Sequence, residues 1–63
     1  MKGTVKFFNT SKGFGFISGE DGNEYFVHQT AIQNNAHLRE NDVVSFEAEE
    51  GDRGPKAVNV VKE

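Results

Sequence analysis

Sixty-three residues and 7.0 kDa hold one small domain and leave no space for the enclosed cavity of most small-molecule enzymes. With 35% hydrophobic residues and no cysteine, neither a disulfide nor a zinc–thiolate centre can staple so short a chain. The net charge of -3 argues against a polyanionic partner until its distribution is read: Met1 to Ile17 carries three lysines and no acid, whereas Ser18 to Asp52 carries nine acids against Arg39 alone.

The first strand-length run is Lys2 to Asn9, closed by the polar stretch Thr10-Ser11-Lys12, and the second is Gly13 to Ser18. Asp21-Gly22 is a hairpin-turn signal and leads into a third run, Glu24 to His28. Thr30-Ala31-Ile32 is long enough for one short helical turn, and the polar stretch Gln33 to Asn41 follows. Asp42 to Glu50 and Lys56 to Lys62 complete five strands on either side of a breaker at Gly51 to Pro55. No window of helical length carries a 3.6-residue apolar period. The expectation is an all-β domain spanning residues 1–63, and a barrel rather than an open sheet, because five short strands left open would expose edges and one face. The first residues lack the apolar run of a signal peptide and no segment is long and apolar enough to span a bilayer, so a cytoplasmic protein with no membrane partner is expected.

Six of the seven aromatic residues precede position 27. Period-two alternation places Phe14 and Phe16 on one face of the second strand, with Gly13, Gly15 and Ile17 on the other, and it sets Phe26 and His28 opposite Tyr25 and Val27. If Ile17 and Val27 face the core, Phe14, Phe16, Phe26 and His28 face outward as neighbours across one hairpin. The reverse orientation exposes Ile17 and Val27 and leaves two glycines facing solvent, whereas glycine fits where backbones pack closely. In Val5-Lys6-Phe7-Phe8-Asn9 both rings can point outward only at a bulge or a strand end. Outward rings edged by Lys6 and Lys12 suit a single-stranded nucleic acid, whose bases stack on rings while cations meet phosphates. The other class of partner for such a face is a second protein. His28 and His37 are too few and too loosely placed for metal or general acid–base chemistry, and the acids Glu47, Glu49, Glu50 and Asp52 read as a solvated strand face. No catalytic residue, metal site, cofactor or small-molecule substrate is expected.

Lys12-Gly13-Phe14-Gly15-Phe16-Ile17 resembles the first ribonucleoprotein-type motif of the cold-shock proteins. Phe26-Val27-His28 resembles their second motif, and Arg53-Gly54-Pro55-Lys56-Ala57 with Asn59-Val60 their C-terminal loop and strand. The three occur in order over essentially the whole chain. The resemblance implies a five-stranded antiparallel barrel of the oligonucleotide-binding type (OB-fold). It also implies binding of single-stranded RNA and DNA with a preference for pyrimidine-rich stretches and a chaperone role that keeps messenger RNA unfolded at low temperature, and a monomer is expected. By position it assigns binding to Lys6, Phe8, Lys12, Phe14, Phe16, Phe26 and His28, with Arg53 and Lys56 reaching the strand from the loop. Phe7 stands where the family commonly has tryptophan. Gln29 replaces an aromatic residue and can only hydrogen-bond a base edge, and the loop from Gln33 to Leu38 is about two residues shorter than in well-known bacterial members. His37 is the ring left in that loop to take the place of its missing phenylalanine. These departures predict a weaker binder with a shorter footprint.

Overall fold

The computed structural model describes residues 1–33, 37–51 and 54–63, and its strands are β1 (Lys2–Asn9), β2 (Phe14–Gly19), β3 (Glu24–His28), β4 (Val43–Gly51) and β5 (Gly54–Lys62). They close into a barrel in the order β1-β2-β3-β5-β4, so the expected all-β barrel is present. Four of the five pairings are antiparallel, and β3 pairs with β5 in parallel through Phe26↔Lys56 and Val27↔Ala57. The parallel seam corrects the all-antiparallel expectation in one detail that follows from arithmetic. An odd number of strands cannot alternate direction all the way round a closed ring.

Inward-facing residues supply the core: Val5, Ile17, Val27, Val44 and Val60 are at most 1% exposed, with Tyr25, Leu38, Phe46 and Ala57 beside them. The alternation predicted for β2 and β3 therefore holds, with Ile17 and Val27 inside and Phe14, Phe16 and Phe26 half-buried on the outside. β2 starts one residue later than the sequence suggests because Gly13 sits at φ 76, outside the extended region, in a turn held by Asn9. The Asn9 carbonyl accepts the Gly13 N–H at 2.7 Å and its side-chain Oδ1 accepts the Lys12 N–H at 3.0 Å.

The β2–β3 connection turns at Gly22 (φ 88), as the Asp21-Gly22 pair predicts. Asp21 accepts the Asn23 N–H at 3.1 Å and also the hydroxyl hydrogen bond of the buried Tyr25, whose ring packs 5.1 Å from that of Phe46. The Tyr25 hydroxyl, and after it the Asn23 N–H, hold the Asp21 carboxyl below its ordinary value of 3.8, and the same bond raises Tyr25 above 10.0. The signs follow by linkage. The Asp21 contribution is present above pH 3.8 and is lost as pH falls through the depressed folded value, and the Tyr25 contribution is present below pH 10.0 and is lost as pH rises through the raised one. Tyr25→Phe is expected to return the Asp21 carboxyl toward 3.8 in a carbon-detected NMR titration. An unmoved Asp21 titration would rule out the hydroxyl as the main cause.

After β3 the chain makes a 3-10 turn over Gln29–Ala31, one residue earlier than the expected Thr30-Ala31-Ile32. The shift has a cause in His28, whose Nδ1 accepts the Thr30 N–H at 3.3 Å and so serves as the N-cap. Ile32 then forms a lone parallel bridge with Val60. In β5 Asn59 adopts φ 53 at the irregularity where the β4–β5 register shifts between Ser45 and Glu47. No helix among the described residues is long and apolar enough to cross a membrane.

Candidate nucleic-acid interface

A bulge settles which of the paired phenylalanines in β1 faces out. The β1–β2 register slips between Val5 and Phe7, so Val5 opposes Ile17 and Phe7 opposes Phe16, with Lys6 as the extra residue. Phe7 thereby stands on the outer face at 38% exposure, while Phe8 opposes Gly15 and packs against the core. The bulge does not turn both rings outward: it leaves Phe7 as the outer ring and Phe8 packed against the core beneath it.

The outer rings form an unbroken row. Phe7 and Phe16 have centroids 5.6 Å apart, Phe16 and Phe26 5.7 Å, and Phe26 and Phe14 5.8 Å. Strand register causes this, because Phe16↔Phe26 and Phe14↔His28 are directly opposed pairs in the β2–β3 hairpin. His28 is exposed beside Phe14. Its Nδ1 lies 3.0 Å from the Thr30 hydroxyl and accepts the Thr30 N–H at 3.3 Å. The close fit beneath the rings depends on Gly15, where an added Cβ would lie 2.3 Å from the Phe7 carbonyl oxygen and 2.7 Å from the Phe8 Cα.

The cations occupy the edges of this row and differ in their commitments. Lys6 Nζ lies 2.7 Å from Glu24 Oε2, at the turn end of the β2–β3 hairpin, where Glu24 opposes Ser18. Lys56, opposite Phe26 across the parallel seam, lies 3.7 Å from Glu49. Lys12 is exposed in the turn before Phe14, and among the described residues it has no ion-pair partner. Exposed pairs of this kind are worth about 0–1 kcal/mol, so a phosphate can compete for either committed lysine. Gln29 lies at the same end of the row: its N–H donates to the Gly13 carbonyl at 2.8 Å and its amide sits over Gly13, where a Cβ would meet Oε1 at 2.7 Å. His37 is exposed one residue before the buried Leu38 and takes part in none of the ring contacts. Arg53 lies outside the described residues, as do positions 34–36 of the shortened loop. Glu24 and Thr30 escaped sequence reasoning, since only the register shows that one faces Lys6 and only the cap shows that the other touches His28.

A closed five-stranded barrel with a row of outward rings edged by lysines has the architecture of the oligonucleotide-binding class. The sequence profile described as the 'Cold-shock' DNA-binding domain matches residues 1–63. Over 61 residues the chain is 57% identical to Cold shock protein 1 of Lactiplantibacillus plantarum, covering 94% of this chain and 92% of that one. Over 63 residues it is 56% identical to the Major cold shock protein of Streptococcus pyogenes serotype M1 and to Cold shock protein CspA of Staphylococcus aureus. Those alignments cover 97% of this chain, and 94% and 96% of the two relatives. The chain belongs to the cold-shock domain family, which makes it a nucleic-acid-binding protein and not an enzyme.

Proposed function

We propose that the 63 residues act as one monomeric cold-shock domain in the cytoplasm, binding single-stranded RNA and DNA and keeping transcripts unfolded, with a preference for pyrimidine-rich stretches. The observation that carries this reading is the row Phe7, Phe16, Phe26 and Phe14, spaced at 5.6–5.8 Å on one exposed face. Bases in a duplex lie ~3.4 Å apart along each strand. Rings at about 1.7 times that spacing suit an extended strand whose bases are splayed one per ring, so unpaired strand binds and duplex does not. Pyrimidine runs stack weakly on themselves and release their bases at least cost, which supports the preference. The binding residues of this reading are the four rings with His28, Lys6, Lys12 and Lys56 at the edges, Phe8 beneath, and Gln29, His37 and Arg53 toward the adjoining loops.

The mechanism is passive. A protein that binds only the unpaired state shifts a hairpin toward single strand by its differential affinity, with no nucleotide hydrolysis. Stacking supplies most of the affinity, at about 1–3 kcal/mol per base, and a few phosphate contacts supply the rest. Lys12→Gln is therefore expected to lower the slope of log affinity against log salt by about 0.7, the value for one phosphate contact to a single strand. An unchanged slope would show that Lys12 meets no phosphate. The reading itself is tested by adding the protein to a fluorophore–quencher RNA hairpin with a pyrimidine loop and one pyrimidine-rich stem strand. Stoichiometric opening supports it, and a hairpin that stays closed under saturating protein opposes the chaperone role.

A further inference from the structure

Beyond the ring row the barrel wall opens. The parallel β3–β5 ladder stops at Val27↔Ala57 and, among the described residues, the two backbones pair again only at Ile32↔Val60, with the His28-capped turn over residues 29–31 and Asn59, at φ 53, between the two pairings. The gap is a groove of about 490 Å³, within the ~300–1,000 Å³ typical of ligand clefts. Phe26 and His28, already members of the ring row, form its near wall, and the half-buried Ala31 and Val58 give it an apolar lining. Lys56 stands at the Phe26 end. At the far end an amide ladder is fixed in place: Gln33 Nε2 donates to Asn59 Oδ1 at 3.1 Å, and Asn59 Nδ2 donates to Glu47 Oε2 at 2.6 Å. The ladder consumes one N–H of each amide and leaves Gln33 Oε1 and a second Gln33 N–H unpaired among the described residues.

We propose that this groove between the 3-10 turn and β5 is an additional nucleotide subsite, which takes the next base of the strand beyond the four rings and reads its edge with the Gln33 amide. The inference rests on the single-strand reading above. Continuity identifies the occupant: a strand that follows the row from Phe7 through Phe16 and Phe26 to Phe14 ends beside His28, the cross-strand partner of Phe14 and a wall of the groove, so its next step enters the groove. The apolar lining suits a base face, Lys56 on the groove wall suits a phosphate of the incoming nucleotide, and the adjacent acceptor and donor of Gln33 match the paired donors and acceptors on a base edge. Stacking on rings outweighs one neutral hydrogen bond, so a four-nucleotide strand occupies the rings first and only a longer one fills the groove.

The test titrates isotope-labelled protein with oligothymidine of four and of seven nucleotides and follows side-chain amide signals by NMR. The Gln33 and Asn59 amides are expected to shift with the longer strand and not with the shorter, while Phe16 and Phe26 backbone signals shift with both. Gln33→Ala should weaken the seven-nucleotide complex about twofold to tenfold and leave the four-nucleotide complex unchanged. Amides that stay still while the rings respond, or a Gln33→Ala effect that is equal for both lengths, would overturn the subsite and leave the ring platform standing. Silence of Phe16 and Phe26 with both strands would remove the single-strand reading and the subsite together.

Discussion

Phe16→Ala is expected to weaken binding of a short pyrimidine single strand by about 5- to 150-fold, the loss of one stacked base at about 1–3 kcal/mol. Phe16 is the test position because it is an inner ring of the row, 5.6 Å from Phe7 and 5.7 Å from Phe26, so its removal both deletes a stacking plate and interrupts the row. The loss should appear at low and at high salt, because stacking releases no counterions, which separates it from the slope change expected for Lys12→Gln. Folding should survive, since the Phe16 side chain lies on the outer face above a core built from Val5, Ile17, Val27 and their neighbours. Unchanged affinity in a folded Phe16→Ala protein would place the strand elsewhere. Affinity lost together with the thermal transition would assign Phe16 to stability instead.

Gly15→Ala is expected to have the largest effect on folding of any single methyl added to the chain's glycines. Its Cβ would stand 2.3 Å from the Phe7 carbonyl oxygen and 2.7 Å from the Phe8 Cα, both backbone atoms of the paired strand that cannot swing aside. β1 and β2 would have to separate where the barrel wall carries the ring row. Overpacking of this kind costs about 3 kcal/mol, against a total stability of about 3–9 kcal/mol for a domain of this size. The transition temperature should fall by more than roughly 10 °C. Gly13→Ala offers the contrast: the atoms it would meet belong to the flexible Gln29 side chain, so its cost is the backbone strain of φ 76, about 1 kcal/mol. Equal transition temperatures for the two variants would contradict the close-approach account of Gly15.

The orientation of the rings was legible in the sequence for a physical reason. Ile17 and Val27 must be inside, strand alternation is strictly twofold, and Gly15 between Phe14 and Phe16 demands close packing, so Phe14, Phe16 and Phe26 have only one face left. Alternation could not decide between Phe7 and Phe8, because a bulge changes register by one residue and leaves no mark in the pattern of apolar residues. The structure supplies that bulge at Lys6. The parallel seam was hidden because pairing depends on which distant strand closes the ring, here β5 beside β3, and the β2–β3 hairpin says nothing about it. The lysines were legible as cations but not in their pairing, since Glu24 reaches Lys6 and Glu49 reaches Lys56 only through cross-strand neighbours. The groove beside Phe26 was invisible for the same reason: it is made by the left-handed Asn59 and by a histidine acting as a cap, two local conformations that β-strand patterning does not encode.

The most direct test of the ring platform is fluorescence anisotropy of a labelled seven-nucleotide oligothymidine at low and moderate salt, with a hairpin duplex of matched length as control. Micromolar or tighter binding of the single strand with no binding of the duplex is the expected result, and it would show that Gln29 and the short 33–38 loop only tune the site. Absence of binding at hundred-micromolar protein, or equal binding of strand and duplex, would contradict the account and turn the search toward a protein partner on the same face.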